Sequence, residues 1–310
     1  MVAFNPNTPK GLEPFQRNDG AVWTDRLRRY YVPAAYTNAM FVGDPIIKKA
    51  GSADVNGING CDLAVAGTGN LITGVICGFL GTATAGSGNV PSMLGVGIGT
   101  GPMYRPSGAQ TLDWYVLVND DPEAAWLIQA DNNYGGTATA VTFSAAAAIT
   151  GTGLPTTVGA PVYFSNSTSA ASLPSPYVAY QTYYILAGST STSITVAATP
   201  GGTAIVAAGA GTGSSFISQP VTAAAALVGK NINLLPGTGS PYTGWSGWQA
   251  STGTAYNIAG SSIAAPTTTG TLQLNVIGLA TDPLNLAGNY FQKLVVRLNQ
   301  STEVNAAAGI

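Results

Sequence analysis

The feature that most constrains this chain is a long segment without charge. No Asp, Glu, Lys, Arg or His lies between Asp131 and Lys230. The segment consists mainly of Ala, Thr, Ser and Gly, and it lacks the sustained 3.6-residue periodicity of an amphipathic helix. Short runs such as TYYIL, at residues 182–186, are typical of strands bounded by turns. The segment therefore predicts β-structure with short strands.

The lack of charge indicates neither a membrane protein nor disorder. A membrane-spanning helix needs a run of about 18 apolar residues, and Gly, Ser, Thr or Asn interrupts every candidate run. Gly and Pro together make up about a fifth of the 310 residues, below the roughly 25–30% typical of disordered chains. We therefore expect a folded protein without a membrane partner.

The change in composition also predicts the domain organisation. We interpret residues 136–217 as a small charge-free β-module inserted into a parent domain. Residues 25–135 and 218–310 then form a discontinuous β core domain, and residues 1–24 form an extended N-terminal arm. The expected class is all-β, with a jelly-roll or β-sandwich-like core.

An uncharged strand edge invites pairing with other chains. We therefore expect the edges near Tyr183 and Ile194 to be covered by the fold or by a sister subunit, unless the module is a short projecting knob.

Individual strands follow from apolar runs and alternation. Residues 125–129 follow residues 114–118 at a spacing that predicts a hairpin, with a turn at residues 119–122. Residues 95–101 form a glycine-rich loop that lacks the Gly-Lys-Ser/Thr of a phosphate-binding loop. The other predicted strands are residues 29–32, 40–42, 71–79, 140–143, 161–164, 182–186, 193–197, 271–278 and 293–298.

The residues for common catalytic chemistry are missing. The chain has no histidine, which removes Ser-His-Asp catalysis and imidazole metal sites. The acidic cluster of Asp120, Asp121 and Glu123 is interpreted as a solvated turn rather than a glycosidase pair or a weak Ca²⁺ site. Cys61 and Cys77 are too few for a zinc cage, and a bond between them stays open. We predict no enzyme, no catalytic residue, no metal and no cofactor.

Candidate contact residues come from two stretches. The net charge of −2 argues against a nucleic-acid partner, but basic residues cluster locally beside tyrosines. Those side chains either meet acidic groups of a partner or lie on a solvated strand edge. The aromatic group of Tyr242, Trp245 and Trp248 is a candidate platform for stacking on sugars. Alternatively, its glycine-flanked tryptophan pair caps a β-core or lies in a subunit contact. The candidates are Arg26, Arg28, Arg29, Tyr30, Tyr31, Trp245 and Trp248.

A resemblance to a known family begins at residues 29–57, RYYVPAAYTNAMFVGDPIIKKAGSADVNG. This stretch resembles the capsid decoration, or cement, proteins of tailed bacteriophages, which share the Arg-Tyr-Tyr-hydrophobic-Pro segment and the Gly-Asp-Pro and Gly-Ser-Ala-Asp turns. The likeness continues in order at residues 72–79, 115–122, 127–131, 228–233, 243–247, 271–278 and 295–299.

Residues 136–217 are similar to a separate small module of phage structural proteins. The similarity rests on TGLP at residues 152–155, the pair Tyr183-Tyr184, TPGGTAI at residues 199–205 and GAGTG at residues 209–213. The parent family often lacks this insert, so its role is not implied by the parent resemblance.

The resemblance implies a structural virion protein, made in the bacterial cytoplasm, that binds the outer surface of a phage capsid and stabilises contacts between capsomers. Its partners would be the major capsid protein and itself, as a dimer or trimer. Many weak repeated contacts are sufficient for such binding, because multivalency makes them strong together. The alternative is another phage or cell-surface β-protein, such as a tail or fibre component or a glycan-binding adhesin.

Overall fold

The structure is a computed structural model of the chain. It describes residues 8–17, 27–84, 102–130, 139–166, 172–178, 181–219, 227–251, 266–280 and 291–303. These residues divide into two compact units: the larger contains the described residues from 8 to 130 and from 227 to 303, and the smaller contains those from 139 to 219.

All the extended regular elements in these ranges are strands, so the expected all-β, sandwich-like class is confirmed. Within the same ranges, no helix has the length and apolarity needed to cross a membrane. The strands are β1 (Glu13–Arg17), β2 (Leu27–Val32), β3 (Met40–Phe41), β4 (Pro45–Ala53), β5 (Asn59–Leu63), β6 (Gly74–Thr84), β7 (Tyr104–Arg105), β8 (Leu112–Asn119), β9 (Ala124–Gln129), β10 (Thr139–Thr142), β11 (Ile149–Gly151), β12 (Pro161–Asn166), β13 (Tyr183–Ile185), β14 (Ser193–Ile194), β15 (Val196–Ala197), β16 (Ser215–Ser218), β17 (Asn231–Ile232), β18 (Leu234–Leu235), β19 (Gln249–Ala250), β20 (Leu274–Leu279) and β21 (Lys293–Leu298).

The larger unit contains a closed barrel in the order β2-β5-β4-β6-β8. Strand β2 pairs antiparallel with β8 and parallel with β5, and this parallel contact completes the ring. Strand β6 pairs antiparallel with β8, and two register shifts interrupt this pairing. Such irregularities bend a strand, as closure of a small barrel requires. The apolar interior includes Val32, Ile46, Cys61, Ile76 and Trp114. The sequence did not predict this barrel.

A five-stranded antiparallel sheet, β1-β9-β21-β20-β17, forms the second part of the larger unit. Its apolar face is centred on the fully buried Trp126 and contains Ile128, Val276 and Val296. The hairpin predicted for β8 and β9 is wrong, because β8 lies in the barrel and β9 in this sheet. Both edges of β8 are already occupied by β2 and β6, so β9 pairs with β1 and β21 instead.

Residues 8–17 of the expected N-terminal arm belong to the larger unit. Strand β1 extends the sheet by pairing with β9, from Glu13 opposite Leu127 to Arg17 opposite Ala124. Leu12 is fully buried in the core around Trp126. A ladder and a buried side chain together hold this segment in place, while residues 18–24 lie outside the described ranges.

The smaller unit is a seven-stranded sheet in the order β14-β11-β10-β16-β12-β13-β15. The two terminal strands, β14 and β15, are separated only by Thr195. One stretch, residues 193–197, therefore supplies both ends of the sheet. Tyr183 lies on β13 between β12 and β15, and Ile194 pairs with Ile149. The strand that carries Tyr183 is thus covered by the fold on both sides. Ile194 lies on the terminal strand β14, which has β11 on one side and no further strand beside it among the described residues, so coverage of that outer edge stays a prediction. The independent folding of residues 136–217 stays a prediction.

Candidate interaction surface

A tight turn at residues 240–245 of the larger unit is closed by backbone hydrogen bonds. The Gly244 N–H donates to the Ser240 carbonyl at 2.8 Å, and the Ser240 N–H donates to the Trp245 carbonyl at 2.9 Å. Gly244 has a φ of +72°, and a Cβ at this position would lie 2.7 Å from the Cβ of Met103. Only glycine fits both the backbone conformation and the close contact. The turn carries Tyr242, whose side chain is 93% exposed.

Met103, Tyr242 and Trp245 form what we call the apolar tip. Met103, which packs against Gly244, is 57% exposed, and Trp245 is half-buried. The Lys10 ammonium lies 5.2 Å from the centroid of the Trp245 ring, a cation–π contact that covers part of this side chain. Exposed aromatic and Met side chains on a fixed backbone are typical of protein interfaces.

Backbone hydrogen bonds fix the apolar tip on the barrel. The Val42 N–H donates to the Gly244 carbonyl at 3.0 Å, and the Ser246 N–H donates to the Val42 carbonyl at 2.8 Å. Beside them, the Phe41 and Tyr104 rings stack with centroids 5.3 Å apart and an interplanar angle of 5°. The tip is therefore a supported surface.

Trp248 is not a contact residue, which corrects one of the predictions. It is only 6% exposed and packs in the core around Trp126. The predicted pair of Trp245 and Trp248 consequently does not form a shared exposed platform for sugars. Tyr242, the third member of the predicted aromatic group, is the fully exposed aromatic residue of this stretch.

The predicted basic cluster lies partly at the surface. Arg26 falls outside the described residues. Arg28 is an exposed side chain on β2, and Arg29 is exposed beside it. Tyr30 is buried at 2% exposure, so it is a core residue and its prediction as a contact residue is corrected. Tyr31 is half-buried, with its ring centroid 5.9 Å from that of Tyr115.

An ionic network surrounds the buried Asp120. The Tyr30 hydroxyl donates to this carboxylate at 2.9 Å, and Arg28 approaches it at 3.2 Å. Burial, followed by the negative charge of Asp120, raises the pKa of Tyr30. Glu303 contacts Arg28 and Lys48, which ties the segment after β21 to the barrel.

The acidic turn was therefore interpreted wrongly as solvated. Asp120 is only 8% exposed, and Asp121 pairs with Arg17 at 2.7 Å, whereas Glu123 is exposed. Across the described ranges, no group of three or more His, Cys, Asp and Glu side chains is placed to hold a metal ion. Cys61 and Cys77 are not joined by a disulfide, which answers the question of a bond between them.

The sequence analysis missed one buried carboxyl, that of Asp44. It is 2% exposed and accepts hydrogen bonds from the Phe41 N–H at 2.8 Å and from the Ser246 hydroxyl. Burial raises its pKa from 3.8 to about 7, although the two hydrogen bonds oppose the shift. The Gly-Asp-Pro turn at residues 43–45 gave no signal of burial, because such turns are normally exposed.

Comparison with known proteins gives no match. No protein-family model, no curated protein and no solved structure matches this chain.

Proposed function

We propose that this chain is a structural virion protein that decorates the outer surface of a tailed phage's icosahedral capsid and stabilises contacts between capsomers. One observation supports the proposal above all. The stretches that carry the resemblance are separated in sequence by the charge-free segment, yet their described residues all belong to the larger unit. The stretches that resemble the family thus lie in one folded unit.

The surface of the larger unit suits this role. A decoration protein resists outward pressure on the shell. It therefore needs a rigid domain and exposed side chains that bind a neighbouring subunit. Exposed groups are available in the apolar tip and in Arg28 and Arg29. We assign the capsid contact to the apolar tip, because aromatic residues carry most of the binding energy at protein interfaces. Symmetric self-association as a dimer or trimer belongs to the same proposal.

The test uses expanded heads of the encoding phage, assembled without this chain. Purified full-length chain should co-sediment with these heads, and cryo-electron microscopy should place it on the outer surface. Tyr242→Ser should weaken binding about 10-fold or more, the loss expected when an interface aromatic is removed. Val158→Ser, at an exposed apolar residue of the smaller unit, is the matched control and should bind like the wild type.

The outcomes separate two questions. Wild-type protein that fails to bind the heads would overturn the proposed function. Wild-type protein that binds while Tyr242→Ser binds equally well would overturn only the assignment of the apolar tip as the capsid contact.

A further inference from the structure

Three segments of the larger unit meet beneath the apolar tip, at residues 10–12, 41–44 and 244–248. The Leu12 N–H donates to the Gly43 carbonyl at 3.0 Å. A Cβ on Gly11 would lie 2.3 Å from the Gly43 carbonyl oxygen and 2.6 Å from the Ser246 Cβ. The packing leaves no room for even one methyl group. We call this meeting point the junction.

Asp44 connects the parts of the junction through one chain of hydrogen bonds. Its carboxyl accepts from the Phe41 N–H of the barrel side and from the Ser246 hydroxyl of the loop. The Ser246 oxygen in turn accepts from the Trp248 N–H at 3.1 Å. Protonation or ionisation of this carboxyl therefore changes the hydrogen bonds that hold the loop carrying the apolar tip.

The charged groups on the surrounding segments are engaged elsewhere. Lys10 lies over Trp245 and 3.5 Å from Glu13. From β7, Arg105 donates to the backbone carbonyls of residues 34, 36, 38 and 106. The remaining titratable groups on β4, β6 and the turn are Lys48, which contacts Glu303, Lys49, which contacts Asp62, the Cys77 thiol and the exposed Tyr242.

Within the described residues, burial and two hydrogen bonds alone account for the shifted pKa of Asp44, and no cation contributes. An ionised carboxylate buried without a cation is costly unless water reaches it. Water reaches this one only if the junction opens. We infer that Asp44 makes the junction a pH-sensitive lock: the protonated carboxyl holds residues 240–248 against the barrel, and the ionised carboxyl favours an open state.

The direction of the effect follows from proton linkage. The closed state holds the Asp44 proton with a pKa of about 7, whereas the hydrated carboxyl of an open state has its usual value of 3.8. Between these two values the closed state binds the proton and the open state does not. The closed state therefore loses stability as pH rises from about 4 to about 7, and changes little above that range. The apolar tip would then bind a capsid less tightly at alkaline pH. That consequence alone rests on the proposed function.

The test is amide hydrogen exchange of the full chain at pH 5.5 and pH 8.5, with rates corrected for the intrinsic effect of pH. From the pKa values of 3.8 and about 7, opening at the Ser246 and Trp248 amides should become about 30-fold more favourable at the higher pH. In Asp44→Asn the two pH values should give equal protection. Asp62→Asn, which removes a half-exposed carboxyl of β5, should behave like the wild type.

Ser246→Ala gives a second test if Asp44→Asn does not fold. This variant removes a donor that favours the ionised carboxyl, so the midpoint of the pH-dependent loss of protection should lie at a higher pH than in the wild type. The readout is the amide of residue 246, whose acceptor is the Val42 carbonyl, because the Trp248 amide loses its own acceptor in this variant. The inference is overturned by wild-type protection that is equal at both pH values, by a 30-fold change that persists in Asp44→Asn, or by an unmoved midpoint in Ser246→Ala. No capsid takes part in this measurement, so its failure is distinct from failure of the proposed function.

Discussion

Leu12→Ala tests whether the N-terminal segment is part of the larger unit. Leu12 is fully buried against the Trp126 core, and its N–H is bonded to the Gly43 carbonyl. Truncation to Ala removes three carbons, worth about 2.4 kcal/mol at about 0.8 kcal/mol for each buried group. A cavity adds to this loss where the surroundings cannot collapse. The β1–β9 ladder and the hydrogen bond to Gly43 hold the backbone on both sides, so we expect a total of about 3–4 kcal/mol.

Tryptophan fluorescence during urea unfolding measures this loss selectively. The described tryptophans Trp114, Trp126, Trp245 and Trp248 all belong to the larger unit, and the sequence has none between Trp126 and Trp245. The matched control is Phe15→Ala in the same segment, where the side chain is 43% exposed and the expected cost is about 1 kcal/mol or less. A cost below about 1 kcal/mol for Leu12→Ala would falsify the view that this segment is built into the core. The segment would then be a free arm.

Two further substitutions test the smaller unit and the ionic network. Phe164 is fully buried among aromatic rings, including Phe143 at a centroid distance of 5.1 Å. Phe164→Ala should cost about 3–5 kcal/mol and abolish the tyrosine near-ultraviolet circular dichroism of the smaller unit. The tryptophan unfolding transition should stay unchanged, and a transition that moved with it would contradict two separate units. Tyr30→Phe removes a buried hydrogen bond to the charged Asp120, so it should lower the unfolding free energy by about 1.5–3 kcal/mol. A change of less than about 0.5 kcal/mol in the same urea assay would show that Tyr30 contributes only its ring.

Local pattern was sufficient to predict many strands but not their partners. Residues 293–298 were predicted as a strand and form β21 with the same bounds, because alternation and β-branched residues act within the segment itself. The pairing of β8 and β9 was predicted wrongly, since the choice of partner depends on which strand edges are free after the barrel closes. Strands that follow each other along the chain are usually neighbours, but their spacing does not show which strand edges are already occupied.

The contact residues show the same limit. Trp245 and Trp248 are three residues apart in a glycine-flanked loop, yet one is half-exposed and the other is in the core. A strand or helix has a period from which burial can be inferred, whereas an irregular loop has none. Asp44 was missed for a related reason. Its burial is imposed by segments distant in sequence, at residues 10–12 and 244–248.

The charge-free segment is explained by how each unit treats its strand edges. In the larger unit, the outer strand β1 carries Glu13 and Arg17, together with Pro14 and a register shift beside it. Charge, proline and irregular pairing are the usual means of preventing an edge from recruiting another chain. The smaller unit has no charged side chain for this purpose. Its sheet instead takes both terminal strands from the single stretch of residues 193–197. That stretch gives edge strands of only two residues each, and very short edge strands are another means of limiting pairing with other chains, one that needs no charge.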